Sequence, residues 1–183
     1  MEETMKKTVI RIIAVFTLML FTAMIFASDI KPATDYADVK KAIEDSIGWA
    51  ITKDFDYMYS LMANDENFVL LWLTSDSHVV GFTAFKKFAE IYRDPDFRGT
   101  RFEFKDLRIT FSRSGDVAWY STYLDDCGEY KGKESCTKDV FQTGVLEKRE
   151  GKWVHVLQHG SYPVDKIPEK YLKHYYPQLF EKK

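Results

Sequence analysis

The sequence FQTGVLEKREGKWVHVLQHGS, residues 141–161, predicts two β-strands joined by a tight, charged turn. Gly151 supplies the positive φ that a short hairpin needs. The second arm alternates, so Val156, Gln158 and Gly160 are expected on one face of the sheet. The opposite face is expected to carry Trp153, His155, Leu157 and His159. Because both faces carry large apolar groups, we expect neither face of this hairpin to be simply solvated.

Outward from this hairpin, the pattern predicts a four-stranded meander preceded by helices. The long strands are expected at residues 100–113, 116–126, 136–148 and 152–162. Apolar residues at helical spacing predict helices at residues 35–49, 55–62 and 83–92, with a short strand pair, 68–73 and 78–80, before the third helix. A final short helix is expected at residues 168–176, between two prolines. The fold class is therefore predicted to be α+β.

Length, aromatic content and net charge limit the functions that the chain is expected to have. The chain has 183 residues, which suits one domain with a sizeable core. Aromatic residues make up 16% of it, enough to line a pocket or a buried interface. The formal net charge of −2 gives no support for the basic stripe that nucleic acid requires, and the positive charges are scattered, so we expect no nucleic-acid partner.

The N-terminus has the pattern of a secretory signal peptide. Lys6, Lys7 and Arg11 precede an uncharged apolar run, residues 12–27, that ends in a small residue. We predict a signal peptide over residues 1–27 with cleavage near Ala27/Ser28, then a linker over 28–34 and a periplasmic or secreted protein with no stable membrane span. The alternative is an uncleaved anchor, although the run of 16 residues is short for a span of about 20.

The two cysteines are predicted to form a disulfide. Cys127 and Cys136 flank the polar loop GEYKGKES, so they should face each other across the end of a strand hairpin. An oxidising compartment would let the bond persist. Two free buried thiols remain the alternative. The spacing is a poor zinc pattern, and no metal or cofactor is predicted.

The element order resembles that of SnoaL-like and DUF4440-like members of the nuclear-transport-factor-2 (NTF2)-like, or ketosteroid isomerase-like, superfamily. Three local patterns carry the resemblance: Gly81 at a helix start after the short hairpin, Asp116-Val117-Ala118 at a strand start, and Gly-Lys-Trp before His159-x-Ser161. The resemblance implies a cone, with a curved mixed or antiparallel sheet and three N-terminal helices around one pocket. It covers residues 35–163, leaving 164–183 as a C-terminal helical extension.

Alignment with that family predicts that the catalytic groups of the isomerases are missing from this chain. The position of the base falls on or next to Trp72, that of the acid on Thr143, and that of the first-helix tyrosine near Ser46. Tryptophan cannot accept a proton, and threonine cannot supply a comparably acidic one. The isomerase mechanism is therefore disfavoured.

Dehydratases of the superfamily use a His–Asp pair instead, and Asp76 with His78 is the remaining acid–base candidate here. The competing interpretation is turn chemistry, with Asp76 capping its loop. His155 and His159 on one strand would stand about 13 Å apart, too far for one metal ion. They are expected outside the pocket.

The predicted pocket is aromatic with a few polar points. Its walls are expected to combine inward strand residues with aromatic groups from the helices and the first strand, namely Tyr59, Trp72, Phe85, Tyr92, Tyr120, Thr122, Thr143 and Gln158. Ala118, Phe141, Val145, Val156 and Gly160 are expected on the same face. Such walls suit a small apolar or aromatic ligand, bound without catalysis. The alternative is that these side chains simply fill the cone.

The other face of the sheet is predicted to pair with a second copy of the chain. Its expected residues are Trp119, Tyr123, Trp153 and Leu157. Three functions therefore remain: a small-molecule binder, a lyase or isomerase using Asp76 and His78, and a homodimeric interaction module with a filled core.

Overall fold

The structure is a computed structural model that describes residues 35–73, 77–163 and 167. The chain divides into two compact units, Met1–Asp38 and Val39–Lys183. Only residues 35–38 of the first unit are described, and they are helical. The predicted signal peptide, linker and C-terminal helix lie outside the described residues. Within the described part of the chain, no helix is both long and apolar enough to cross a membrane.

A side-chain cap and a glycine at positive φ mark the starts of two of the helices. Helix α1 covers residues 35–52, α2 covers Phe55–Ser60, and α3 covers Phe82–Ala89 before a 3-10 helix, Glu90–Arg93. The Asp54 carboxylate caps α2 by accepting a 2.9 Å hydrogen bond from the Tyr57 backbone N–H. Gly81 starts α3 at a φ of 84°, as its place after the short hairpin predicted.

One six-stranded sheet forms the rest of the described fold. Its strands are β1 Val69–Leu71, β2 His78–Val80, β3 Phe97–Phe111, β4 Val117–Tyr130, β5 Lys133–Arg149 and β6 Lys152–Ser161. Their spatial order is β2-β1-β6-β5-β4-β3, with β1 parallel to β6 and every other pair antiparallel. Helices and a curved mixed sheet confirm the predicted α+β class.

A bulge in β5 reverses which residues face the helices. Leu124 pairs with Val140, whereas Asp126 pairs with Thr137, so β5 carries an extra residue at this point. Beyond the bulge, Gln142 and Gly144 are the buried positions, opposite Thr122 and Tyr120.

The predicted orientation of this part of β5 is therefore wrong. Phe141, Thr143 and Val145 pair with outward residues of β4, and the first two are exposed. The neighbouring strand follows the prediction, because Ala118, Tyr120 and Thr122 are buried.

A second bulge, at Val156, has the same effect on β6. Val145 pairs with Leu157, but Leu146 pairs with His155, which leaves Val156 unpaired between them. Along β6 the inner face therefore changes from odd positions before the bulge, Trp153 and His155, to even positions after it, Gln158 and Gly160. Gln158 is buried inside as predicted, whereas His155 and Trp153 are also buried and the prediction of an outer face for them is wrong.

The core consists of two clusters that meet the sheet at different places. The first joins α2, α3 and β1, with Phe55, Met58, Phe68, Phe82 and Phe85 among its members. The second packs α1 on β4, β5 and β6, with Val39, Ile43, Tyr120, Leu146 and Trp153 among its members. The first cluster contributes walls to the cavity described next, through Met58 and Phe85 among others.

Candidate functional site

A cavity of about 260 Å³ lies between the helices and the inner face of the sheet. The last turns of α1 and α3 form one side of it, and the end of the β4–β5 hairpin forms another. Gly99 allows β3 to approach α1 here, because a Cβ at this position would stand 2.9 Å from Ala50 Cβ. The cavity is thus produced by elements whose bounds the sequence largely predicts.

Aromatic rings make up much of its wall, and Tyr92 is at their centre. The Tyr92 ring contacts Trp49 edge-on at 5.7 Å, Phe88 at 5.9 Å and Phe97 at 5.1 Å between centroids. Because each ring is held by at least one other, the wall is rigid and apolar. Trp49, Phe88 and Phe97 were not predicted as pocket residues.

Trp72 lies over a glycine of β6. A Cβ on Gly160 would come within 2.8 Å of two Trp72 ring carbons, so only glycine leaves room for this ring. The Trp72 backbone N–H donates to Ser77 O at 3.2 Å and completes the β1–β2 hairpin. The position aligned with the isomerase base is therefore an aromatic wall.

A buried polar group of the cavity wall is the amide of Gln158, which a hydrogen bond holds in place. Gln158 Nε2 donates to Ser46 Oγ at 2.9 Å, and Ser46 Oγ donates to Ile43 O at 2.7 Å. Both side chains are buried and both line the cavity. This chain of hydrogen bonds orients the amide before any ligand arrives.

Asp126 is the unexpected feature of the cavity. It lines the wall, lies opposite Phe102 and Thr137 in the sheet, and makes no hydrogen bond or ion pair with any described residue. Burial raises the pKa of its carboxyl group. The pKa of Tyr92 is raised by burial and then by the Asp126 charge, so the phenol and the carboxyl group share one environment.

The sequence offered a signal for Asp126. It continues the alternation of Ala118, Tyr120, Thr122 and Leu124, all of which are buried on the inner face. A carboxyl group of raised pKa can exchange a proton with a ligand or balance a cation.

The other acids near the cavity are already paired. Lys105 Nζ lies 2.8 Å from Asp125 and 2.6 Å from Asp139. Glu129, which lines the cavity, receives Arg98 Nη2 at 3.0 Å. Among the described residues, no lysine, arginine or histidine lines the cavity. Asp126 is thus the unbalanced charge of this site.

Of the eight predicted pocket residues, four line the cavity and four do not. Trp72, Phe85, Tyr92 and Gln158 line the cavity. The others do not: Tyr59 packs against Phe82 and Phe85, Tyr120 stacks edge-on with His155, Thr122 donates to Lys105 O, and Thr143 is exposed on the outer face. Thr143 is placed there by the β5 bulge.

Buried polar groups lie behind the Gln158 side of the cavity. His155 is fully buried, its Nε2 is 3.2 Å from Ala42 O, and burial lowers its pKa to about 4. Burial likewise raises the pKa of Tyr120. Neither residue lines the cavity, so a neutral imidazole here is structural.

The predicted acid–base pair is not assembled in the described residues. Asp76 lies outside them. His78 is an exposed residue of β2, the edge strand, and does not line the cavity. Within the described residues, no cluster of three His, Cys, Asp or Glu side chains could hold a metal ion.

The two cysteines are joined across β4 and β5. Cys127 and Cys136 are direct cross-strand partners with Cα atoms 4.1 Å apart, and their sulfur atoms form a disulfide. Cys127 adjoins Asp126, so the bond holds the hairpin that carries the cavity carboxylate. A stable disulfide is typical of an oxidising environment.

Comparisons with known proteins agree with this architecture. A family model described as a SnoaL-like domain matches residues 39–165. No curated protein sequence matches the chain. The match does not support the DUF4440-like part of the resemblance.

Solved structures share the fold at low sequence identity. A putative scytalone dehydratase from Novosphingobium aromaticivorans has a TM-score of 0.63 and 15% identity, over 72% of this chain and 86% of that one. An NTF2-like protein with a cystatin-like fold from the same species has a TM-score of 0.62 and 12% identity, over 80% and 94%. A type 2 hexachlorocyclohexane dehydrochlorinase has a TM-score of 0.58 and 15% identity, over 72% and 87%.

Proposed function

The chain belongs to the SnoaL-like domain family of the NTF2-like superfamily, and we propose that its cavity binds a small, largely apolar molecule. The observation that carries the proposal is the ring-walled cavity of about 260 Å³ with a preoriented amide. Ligand sites combine apolar walls with a few placed polar groups in this way. A filled core is disfavoured because the rings line a space instead of closing it.

A neutral fluorescent probe tests this function. N-phenyl-1-naphthylamine should brighten on binding the wild-type protein at micromolar concentrations. Thr137 lines the cavity from β5, so Thr137→Trp should fill it and weaken binding about tenfold or more, the scale of one lost apolar subsite.

Thr143→Trp is the matched control, because it makes the same substitution on the same strand but on the exposed face. It should bind the probe like the wild type. Binding that is lost equally in both variants, or that is absent from the wild type, would contradict a cavity site.

A second candidate function, a lyase or isomerase, is favoured by Asp126. A carboxyl group whose pKa is raised by burial can act as a general acid or base. It replaces the pair proposed from the sequence, Asp76 and His78. Turnover of an enone or a hydroxy-carbonyl compound that disappears in Asp126→Asn, while the neutral probe still binds, would establish this alternative.

We also propose that the protein is exported and that it dimerises through the outer face of the sheet. The disulfide supports export, since such bonds persist in oxidising compartments. N-terminal sequencing of protein from its own host should begin at or near Ser28, and recovery of intact Met1 in a membrane fraction would reject cleavage. The exposed rings of Trp119, Tyr123 and Phe141 support the dimer.

A further inference from the structure

We propose that the cavity selects ligands carrying a protonated amine on an apolar body, with the Asp126 carboxylate as counter-ion. This inference rests on the proposed binding function and specifies its ligand class. It starts from the one cavity carboxylate that has no partner among the described residues.

The ion pairs made by the acids around Asp126 favour a cationic ligand at Asp126. The adjacent Asp125 is paired with Lys105, which it shares with Asp139, and Glu129 is paired with Arg98. A buried carboxylate without a partner is costly, so a ligand that brings a positive charge and N–H donors recovers that cost on binding. An anionic ligand would add a second unbalanced negative charge.

The remaining titratable groups on the cavity wall do not supply that cation. They are Tyr92, Glu129 and Tyr130, none of which is positively charged in any protonation state. Burial holds Tyr92 neutral by raising its pKa, and nearby acids, Asp94 first, raise that of Tyr130. Since no described residue on the cavity wall supplies a positive charge, we expect the ligand to bring it.

The rings near Asp126 favour the same class of ligand. Tyr92 shares the electrostatic environment of Asp126, and it packs against Trp49, Phe88 and Phe97. Aromatic faces attract an ammonium group and also accept the apolar body attached to it.

The helix that borders the cavity adds a smaller contribution of the same sign. Ile47, Trp49 and Ala50 line the cavity from the last turns of α1, which ends at residue 52. The C-terminal end of a helix carries a partial negative charge and stabilises nearby cations. A cationic ligand is thus favoured by the Asp126 carboxylate, by the aromatic rings and by the end of α1.

A matched ligand pair tests the inference on the wild-type protein. The amine 2-phenylethylamine and the alcohol 2-phenylethanol have similar shapes and differ chiefly in charge. Each is titrated against bound N-phenyl-1-naphthylamine at pH 7. The amine should displace the probe at a concentration about tenfold lower or more, the scale of one charge-assisted hydrogen bond. An amine that displaces the probe no better than the alcohol overturns the inference.

Two variants test whether the charge of Asp126 causes the preference for the amine. Asp126→Asn keeps the shape and removes the charge, so it should remove the preference for the amine and keep the affinity for the alcohol. Glu129→Gln is the control, because Glu129 lines the same cavity but is already paired, and it should retain the preference. Equal loss in both variants would assign the preference to diffuse charge and overturn the role of Asp126.

A pH profile gives a readout that does not depend on any variant. As pH falls and Asp126 takes up a proton, amine affinity should fall while alcohol affinity stays level. A flat amine profile down to pH 4 contradicts the inference. Failure of the neutral probe itself to bind would refute the proposed cavity function instead, so the two failures are distinguishable.

Discussion

Asp125 and Asp126 are neighbours in β4 whose carboxyl groups lie in opposite environments. Asp125 accepts hydrogen bonds from Lys105 and from the Asp139 backbone N–H, and both lower its pKa. Asp126 lines the cavity without an ion-pair partner among the described residues, and burial raises its pKa. The same residue type is therefore stabilising at one position and destabilising at the next.

The first prediction follows from the direction in which burial shifts the pKa of Asp126, which is upward. A carboxyl group whose pKa is raised in the folded state weakens folding once pH exceeds the unfolded-state pKa, and the full penalty is present above the folded-state pKa. Asp126→Asn should therefore raise the unfolding free energy at pH 7 by about 1 kcal/mol, within the usual range of stabilising substitutions.

That gain should vanish near pH 3, where the wild-type carboxyl group is protonated in both states. Urea denaturation at the two pH values checks this result, and protonation of His155 affects both proteins alike. Asp125→Asn is the control with the opposite sign, because it removes one of the two carboxylate partners of Lys105 and leaves Asp139 as the other. Loss of stability in Asp126→Asn at pH 7 would contradict the account.

The second prediction concerns the contact of Trp72 with Gly160. Gly160→Ala places a methyl group within 2.8 Å of the indole ring, which must move. We expect a loss of about 1–3 kcal/mol, as in other overpacked sites, together with weaker binding of the neutral probe. Ser161→Ala, next to it on β6, should change neither quantity. Unchanged stability and affinity in Gly160→Ala would show that Trp72 does not hold the cavity wall.

At the scale of elements, the sequence correctly predicted the turns and helix caps, which depend on local chemistry. Gly151 and the charged residues before it indicated the β5–β6 turn, and the structure has Glu150 and Gly151 at positive φ there. Strand β2 has the predicted bounds, and Asp54 caps α2. Turns and caps depend on a few adjacent residues, so they are visible in one sequence.

Strand faces were predicted less well, because two bulges change the alternation. The β5 bulge near Asp139 and the β6 bulge at Val156 arise from pairing with other strands. Neither has a local sequence pattern, although each moves a set of side chains to the opposite face. Thr143 and His155 were misplaced for this reason, whereas Asp126 could have been found by extending the β4 alternation.

The third prediction tests the β4–β5 hairpin through its disulfide. The bond closes a loop of about ten residues, so the Cys127→Ser/Cys136→Ser variant should lose about 2–3 kcal/mol of unfolding free energy. Urea denaturation of the variant should match that of the reduced wild type and should not respond to reductant. Two free thiols in air-purified, denatured wild-type protein would show that the bond does not form.

At the scale of the whole molecule, the outer face of the sheet carries apolar rings that a monomer leaves exposed. Trp119, Tyr123 and Phe141 are 46%, 39% and 40% exposed, and the last two stack at 5.1 Å. The fourth prediction is that the protein sediments as a dimer and that Tyr123→Glu weakens association by about 2 kcal/mol or more.

Ile91→Glu is the control for the dimer, because Ile91 is also an exposed apolar residue but lies on the 3-10 helix. It should leave the dimer intact in sedimentation velocity runs. A monomeric wild type, or a dimer that tolerates Tyr123→Glu, would remove this surface from the account.

The central claim is that ligands enter the ring-walled cavity, and the tryptophan side chains report on it directly. The chain has four tryptophans. Trp49 and Trp72 line the cavity, Trp119 lies on the outer face, and Trp153 is buried in the α1 cluster. Each indole N–H gives one signal in a ¹⁵N-correlated NMR spectrum, so one titration samples all three environments.

The measurement is a titration of the ¹⁵N-labelled protein with N-phenyl-1-naphthylamine, followed at these four signals. If ligands enter the cavity, the Trp49 and Trp72 signals should shift together and saturate at one equivalent, while the Trp119 and Trp153 signals stay in place. Movement of the Trp119 signal alone, or no saturable shift at Trp49 and Trp72, would contradict that claim.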